Sequence, residues 1–390
     1  MMDLQSTARP IRITCARGLA GWLEQEVETL GLAVEDRDDS GVEVSGTLAD
    51  AMRLNLHLRT AMYVLCLLDE FTCLSADDLY RRTSFVPWEA LLDPDGYFSV
   101  MAHVDSPAIS NDMFAAVRVK DAVVDRMAEV VGRRPDSGPQ RDRAVVNVYW
   151  RGDTCRLYLN TSGRKLADRG YRRMPHKAPM QETLAAGVIL ATGYDGREPL
   201  VNPMCGSGTL AIEAALIAAG RPPGLLRDNF GFMHVRGFDE PIWQRLRQEA
   251  RKRSVPSVPG RIIATDIDER AIAAARQNAR TAGVDQLIDF AVCDFAETTI
   301  PQGPGVVVLN PEYGQRMGVE SRLESEYARV GDFFKQRCGG YRGYIFTGNP
   351  GLAKKVGLRA RRRLPFFNAR IECRLLEYEL YAGSRRKPDL

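Results

Sequence analysis

At 390 residues the chain is too long for a single compact core, so two or three domains are expected. Apolar residues make up 45% and charged residues 26%, a globular balance that excludes wholesale disorder. Lys and Arg number 53 against 50 acidic residues, so any basic surface has to come from clustering rather than from overall charge.

In chain order the predicted elements begin with a strand at "IRITCA", an amphipathic helix from Gly18 to Leu30, a strand at "GVEVSG", a helix from Ala49 to Arg59 and a strand at "AMYVLCLLDEF". Together they read as a small α+β unit. A second unit follows, with a helix from Ala76 through Tyr80 and onward, a strand at "YFSVMAHV" and a helix from Asn111 to Val131. It ends in a hairpin, "AVVNVYW" and "TCRLYLN", turned at Arg151-Gly152-Asp153. The stretch from Thr161 to Lys177 is polar, basic and Gly-containing, and reads as a linker dividing the chain in two.

Beyond it, strand and helix alternate: "PLVNPMC" then Gly208 to Ala219, "RIIATDID" then Glu269 to Ala282, and "DFAVCDF". They continue with "GVVVLNPEYG" then Ser321 to Gln336, and "GYIFTG" then a short helix. Apolar strands alternating with helices mean a parallel sheet covered on both faces. The tail, with a turn at Asn368-Ala369, reads as a closing antiparallel hairpin.

Eight cysteines lack any C-x-x-C pair and four histidines show no ligand spacing, so no metal site is expected and reduced thiols fit a cytoplasmic protein. The first residues lack the regions of a signal peptide. The apolar helix near Leu210 to Ala219 is short and carries Glu213, so no membrane span is expected. Between Arg133 and Lys177 twelve basic residues face four acids, among them Arg164, Lys165, Arg169, Arg172 and Arg173. Such a cluster attracts phosphate backbones, and these five are the candidate RNA contacts. A second basic knot lies at Arg359, Arg361, Arg362 and Arg363.

The chemistry sits at strand ends. The first strand of the second half opens into Asn202-Pro203-Met204-Cys205-Gly206-Ser207-Gly208-Thr209 and then a helix. Gly206 and Gly208 let the main chain turn tightly beside a ligand, and the helix start favours an anion. Asp266 ends the second strand, where a carboxylate accepts both hydroxyls of a ribose, and Asp294 ends the third, suited to an adenine amino group. Asp268 reads instead as a helix N-cap. An adenosine with a carboxylate-bearing arm is S-adenosylmethionine; a dinucleotide is the competitor, disfavoured because Ala211 stands at the third position of G-x-G-x-x-G.

The fourth strand, "VVVL", ends in Asn310-Pro311-Glu312-Tyr313. The Asn310 side-chain oxygen and the Pro311 carbonyl are two acceptors for the N–H groups of a nucleobase amine, and Tyr313 is suited to stack on an extruded base. No strong base is needed before attack, and orientation supplies much of the rate.

With these motifs in place the sequence resembles a known family. "NPMCGSGTLAIEAA", "ATDID", "NPEYG" and "APMQETLAAGVIL" are similar to bacterial THUMP-domain methyltransferases that modify the exocyclic N2 of guanine in RNA. Upstream, "SADDLY", "AVRVKDAVVDRM" and "LYLNTSGRKLADRGYR" resemble their THUMP region, and "FDEPIWQRLRQEA" resembles the large-subunit rRNA enzymes more than the tRNA branch. The resemblance implies an α/β fold: a Rossmann-like methyltransferase domain, mostly parallel with a closing antiparallel hairpin, preceded by an α+β ferredoxin-like and THUMP RNA-binding region. The boundaries expected are 1–70 ferredoxin-like, 71–162 THUMP, 163–177 basic linker and 178–390 methyltransferase. Bifunctional members carry a second methyltransferase domain, which this chain reads as lacking.

The resemblance further implies an S-adenosylmethionine site formed by Glu182, Thr183, Asn202, Met204, Cys205, Gly206, Gly208, Thr209, Asp266, Ile267, Asp294 and Phe295. Asn310, Pro311 and Tyr313 would form the catalytic target-base pocket, and 23S rRNA or a ribosome precursor would be the partner. Three positions depart from the family pattern: Glu312 replaces a second proline, Asn202 an aspartate, and Gln181 a lysine or arginine. The alternatives are an adenine-N6 DNA methyltransferase, a tRNA guanine-N2 methyltransferase, or an RNA-binding protein impaired in catalysis by Glu312.

Overall fold

A computed structural model describes residues 5–109, 111–174, 180–314 and 320–381. The chain divides into two compact units: Met1–Cys15 with Leu23–Asp168 and Pro223–Ala250, and Ala16–Trp22 with Arg169–Pro222 and Arg251–Leu390.

The first unit carries β1 (Arg9–Cys15), most of α1 (Ala20–Thr29), β2 (Val34–Asp38), β3 (Gly41–Gly46), α2 (Leu48–His57) and β4 (Ala61–Thr72). It continues with α3 (Ala76–Ser84), β5 (Tyr97–Asp105), α4 (Asp112–Val131), β6 (Asp136–Ser137), β7 (Ala144–Arg151) and β8 (Thr154–Asn160). Local chemistry sets the helix starts. Thr47 and Asp50 form a reciprocal capping box on α2, Ser75 caps α3, and Asn111 caps α4, which Gly132 closes at φ +73°. Among the described residues the strands form one eight-stranded sheet in the order β2-β3-β1-β4-β8-β7-β5-β6, so both small units share a single sheet through the β4–β8 pairing.

Two features of this unit run against the sequence reading. The stretch expected as a linker is packed: Thr161, Ser162, Leu166 and Ala167 are buried. Its polar groups are satisfied by partners distant in sequence, with Thr161 Oγ1 donating to the Val64 carbonyl and Ser162 Oγ to Asn55 Oδ1. Leu166 N donates to the Met62 carbonyl. The segment Pro223–Ala250 also belongs to this unit. Phe230 and Phe232 stack at 5.1 Å and Trp243 meets Phe232 edge-on at 4.9 Å, all three within the apolar core. Gly224 lies so close to Leu56 that a Cβ there would fall 2.6 Å from the Leu56 Cα.

The second unit carries α5 (Glu182–Thr192), β9 (Leu200–Pro203), α6 (Thr209–Ala218), the end of α7 (Glu240–Arg253), β10 (Ile262–Asp266), α8 (Glu269–Ala282) and β11 (Ile288–Val292). After them come β12 (Val306–Leu309), α9 (Glu320–Arg337), β13 (Arg342–Thr347), α10 (Pro350–Lys355), β14 (Arg362–Asn368) and β15 (Ile371–Glu379). Among the described residues they form a seven-stranded sheet in the order β11-β10-β9-β12-β13-β15-β14, parallel from β11 to β13 and closed by the antiparallel pair. This is the α/β architecture expected, closing hairpin included. Pro365 is tolerated because β14 is an edge strand. The strand order reverses between β9 and β12, and a crevice at the carboxyl ends of the strands is the consequence. No helix among the described residues is long and apolar enough to cross a membrane.

Candidate active site

The turn after β9 is built from three residues in the left-handed region: Met204 (φ +54°), Gly206 (φ +55°) and Gly208 (φ +83°). The two glycines differ in purpose. A Cβ on Gly208 would lie 2.9 Å from the Ala275 Cβ, so this glycine lets α6 approach α8. A Cβ on Gly206 would meet nothing within 4 Å, so its side of the turn is open. Cys205 N donates to the Thr265 carbonyl at 2.9 Å, and Gly208 N to the Cys205 carbonyl at 2.9 Å. Burial pushes the Cys205 thiol well up, so it stays protonated. Asn202 is fully buried; its Nδ2 donates to the Val308 carbonyl at 2.9 Å and ties β9 to β12, while its Oδ1 has no hydrogen-bond partner among the described residues.

Asp266 closes the turn from the side. Its Oδ2 accepts from Gly206 N at 2.9 Å and its Oδ1 from Asp268 N at 3.0 Å. Asp268 caps α8, as read from the sequence. The next side chain at this strand end, Ile267, is 73% exposed. Asp294 caps the single turn Phe295–Glu297, accepting from Ala296 N, and also accepts from Arg329 of α9 at 2.8 Å; both bonds fall on Oδ1. Burial works against its charge, but Arg329 and the Ala296 N–H outweigh it and hold the carboxyl below the usual range. Phe295 places its ring in the core, edge-on to Phe333 at 5.9 Å, with the Arg329 guanidinium over it at 4.8 Å. No sequence pattern singles out Arg329.

At the start of α5, Glu182 and Thr183 are buried. Arg172 stands 3.2 Å from Glu182 Oε1, donates to the Met180 carbonyl at 2.6 Å and reaches Thr209 Oγ1 at 3.4 Å. Burial pushes Glu182 up to about 6, with Arg172 pulling the other way. Two of the five basic residues expected at RNA therefore point elsewhere. Arg169 is buried against Glu213, because a carboxylate inside the apolar helix α6 demands a countercharge, and Arg172 is committed to Glu182. Arg164, Lys165 and Arg173 are exposed. Lys177 lies outside the described residues.

β12 is entirely buried, and Asn310 follows it with Oδ1 buried and, among the described residues, without a hydrogen-bond partner. Pro311 is buried. Glu312 turns outward and pairs with Arg322 at 3.0 Å. Tyr313 is half-buried, its ring edge-on to Phe346 at 6.3 Å, and its hydroxyl accepts from Asn368 Nδ2 at 2.9 Å and from Cys373 Sγ at 3.8 Å. Burial pushes the phenol up to about 12. Asn368 and Cys373 have no marker in the sequence, since they meet Tyr313 only through the closing hairpin. Among the described residues no cluster of three His, Cys, Asp or Glu is placed to hold a metal ion.

Residues 11–65 match the RlmL ferredoxin-like domain, 73–160 the THUMP domain and 169–377 the RMKL-like methyltransferase domain. The ribosomal RNA large subunit methyltransferase K/L of Syntrophotalea carbinolica is 38% identical over 94% of this chain, which spans about half, 53%, of that relative. A Synechocystis protein assigned as an RNA methyltransferase is 33% identical over 96% of this chain and 98% of its own length. A methyltransferase crystallised as a complex with SAH matches with a TM-score of 0.87 at 26% identity, covering 98% of this chain and all (100%) of the other. The chain thus belongs to the RMKL-like methyltransferase-domain family, in the arrangement that sets a ferredoxin-like and a THUMP domain ahead of that domain.

Proposed function

We propose that this chain is an S-adenosylmethionine-dependent methyltransferase acting on the exocyclic N2 of a guanine in 23S (large-subunit) rRNA. The observation that carries the reading is the buried Oδ1 of Asn310 at the end of β12, unpartnered among the described residues and one strand from the Gly206–Gly208 turn. A buried acceptor without a donor costs about 1–3 kcal/mol, which an incoming N–H offsets. An exocyclic amine brings two N–H groups. Asn310 Oδ1 accepts one and the Pro311 carbonyl the other, which favours the pyramidal, nucleophilic form of the nitrogen. Tyr313 acts by contact with the base ring, since a phenol at about 12 is no base at neutral pH.

The residues at the strand ends fit the donor. The open side of Gly206 admits it, Asp266 faces its ribose, exposed Ile267 its adenine, Asp294 the adenine amino group, and Glu182 its methionine end. When bound, the donor supplies an electrophilic methyl group. The names of the relatives support an rRNA substrate, and the SAH complex of a similar protein supports the donor. The THUMP domain and the exposed Arg164 and Lys165 suit a phosphate backbone.

Mass spectrometry of digested rRNA from cells lacking the gene tests the reading. N2-methylguanosine is expected to vanish from one site and return with the wild-type gene but not with Asn310→Ala. Unchanged N2-methylguanosine at every site overturns it, and transfer to DNA but not RNA from labelled donor would favour the adenine-N6 alternative.

A further inference from the structure

We propose that the closing hairpin extends the apolar floor of the target-base slot beyond Tyr313, through Ile371, and that Gly348 sets how closely these two side chains come together; this rests on the base-modifying reading above. β13 runs out into Gly348, where a Cβ would lie 2.9 Å from Ile371 Cγ2 and 3.0 Å from both Cδ2 and Cε2 of Tyr313. One main-chain position therefore abuts both side chains. Its φ lies outside the left-handed region, so the backbone does not require glycine there; the space does.

Ile371 opens β15 and pairs in register with Asn368, whose amide holds the Tyr313 hydroxyl at 2.9 Å. The ring is thus pinned at its oxygen by the hairpin and backed by Phe346, which is in turn packed on Phe366. Ile371 is 51% exposed. A lone exposed isoleucine is ordinary on a protein surface. This one neighbours a half-buried tyrosine at the end of the strand loop that carries the buried Asn310 oxygen. An aliphatic side chain and an aromatic ring side by side, with an amide acceptor beyond, match a flat heteroaromatic ring bearing an amino group. The occupant is an extruded purine of a polynucleotide, one face against Ile371 and Tyr313 and its amine at Asn310.

The test uses the full chain with labelled donor and rRNA from a strain lacking the gene. Ile371→Ala is expected to raise the RNA KM by about tenfold, the loss of the aliphatic part of that floor. Affinity for S-adenosylhomocysteine, read by calorimetry, should stay unchanged. Ile371→Leu recovers most of that loss. Gly348→Ala, whose Cβ displaces Ile371 and Tyr313, lowers kcat/KM while the circular dichroism spectrum and the affinity for S-adenosylhomocysteine stay at wild-type values. Wild-type KM and kcat in both Ile371→Ala and Gly348→Ala overturn the slot, even with N2-methylguanosine as the product. If the product is another methylated base, the guanine assignment fails, while the same variants still report on the slot with that acceptor. A wild-type chain that methylates neither RNA nor DNA overturns both.

Discussion

Arg169 Nε and Glu213 Oε1 stand 3.7 Å apart with side chains 1% and 0% exposed, and Tyr171 donates its hydroxyl to the same oxygen at 3.1 Å. Removing one partner of such a pair leaves a charge stranded in the interior, which costs about 3–5 kcal/mol. Arg169→Ala should therefore lower stability by that amount in urea unfolding. The double change Arg164→Ala with Lys165→Ala, on an exposed stretch, should leave the unfolding midpoint in place. It should weaken RNA binding and flatten its dependence on salt. RNA affinity lost in Arg169→Ala without any loss of stability would return Arg169 to the RNA surface.

Glu182 gives a pH signature. Burial raises its carboxyl from an ordinary 4.5 to about 6, against the pull of Arg172 and Arg169 and with Glu213 adding to the rise. A carboxyl raised on folding holds its proton more tightly in the folded state. Its contribution to stability is therefore most favourable below 4.5 and declines as pH climbs to about 6. Affinity for a donor whose ammonium meets Glu182 runs in the opposite sense, rising through that window as the carboxylate forms. Calorimetry with S-adenosylhomocysteine across the window should show this rise in wild type and a flat profile in Glu182→Gln. A rise that persists in Glu182→Gln would assign the titration to another group.

Asn202 stands where the family pattern has aspartate, yet restoring the acid is expected to harm this chain. The Nδ2 of Asn202 donates to the Val308 carbonyl in a fully buried setting, and a carboxylate there would face that carbonyl with no proton to give. Asn202→Asp should cost about 1–3 kcal/mol in chemical unfolding. Unchanged stability would mean that the β9–β12 connection is carried by the strands alone.

These particulars separate what was legible in the sequence from what was not. Local signals were readable: the Asp268 cap of α8, the valine run that ends at Asn310, and the turn that joins β14 to β15. Each depends on neighbours within a few residues. Burial of a charge does not. Nothing in the basic run around Arg169 shows that Glu213, in a helix far along the chain, draws it inward. The supposed linker looked solvated because its composition is polar, whereas Thr161 and Ser162 spend their hydroxyls on Val64 and Asn55, which sit about a hundred positions earlier. The return of Phe230, Phe232 and Trp243 to the first unit follows from three-dimensional packing that no periodicity encodes. At the candidate site the strand-end residues were legible, while their supports, Arg329 and Asn368, were not.

Glu312 decides whether departure from the Asn-Pro-Pro-Tyr pattern impairs the pocket. Its side chain is 68% exposed and paired with Arg322, itself 66% exposed, so the pair is worth about 0–1 kcal/mol. The second acceptor proposed for the target amine is the carbonyl of Pro311, which the change at the next position leaves in place. A second proline would stiffen the backbone without adding a contact. Glu312→Pro should therefore leave kcat within about twofold of wild type, a barrier change of under 1 kcal/mol. Asn310→Ala, by contrast, removes the buried acceptor and should lower kcat by about a hundredfold or more, on the scale of losing one positioned hydrogen-bonding group. Donor affinity should hold in both variants. A large gain in kcat for Glu312→Pro would show that the acidic residue restrains transfer, and the impaired-enzyme alternative would then be the better description.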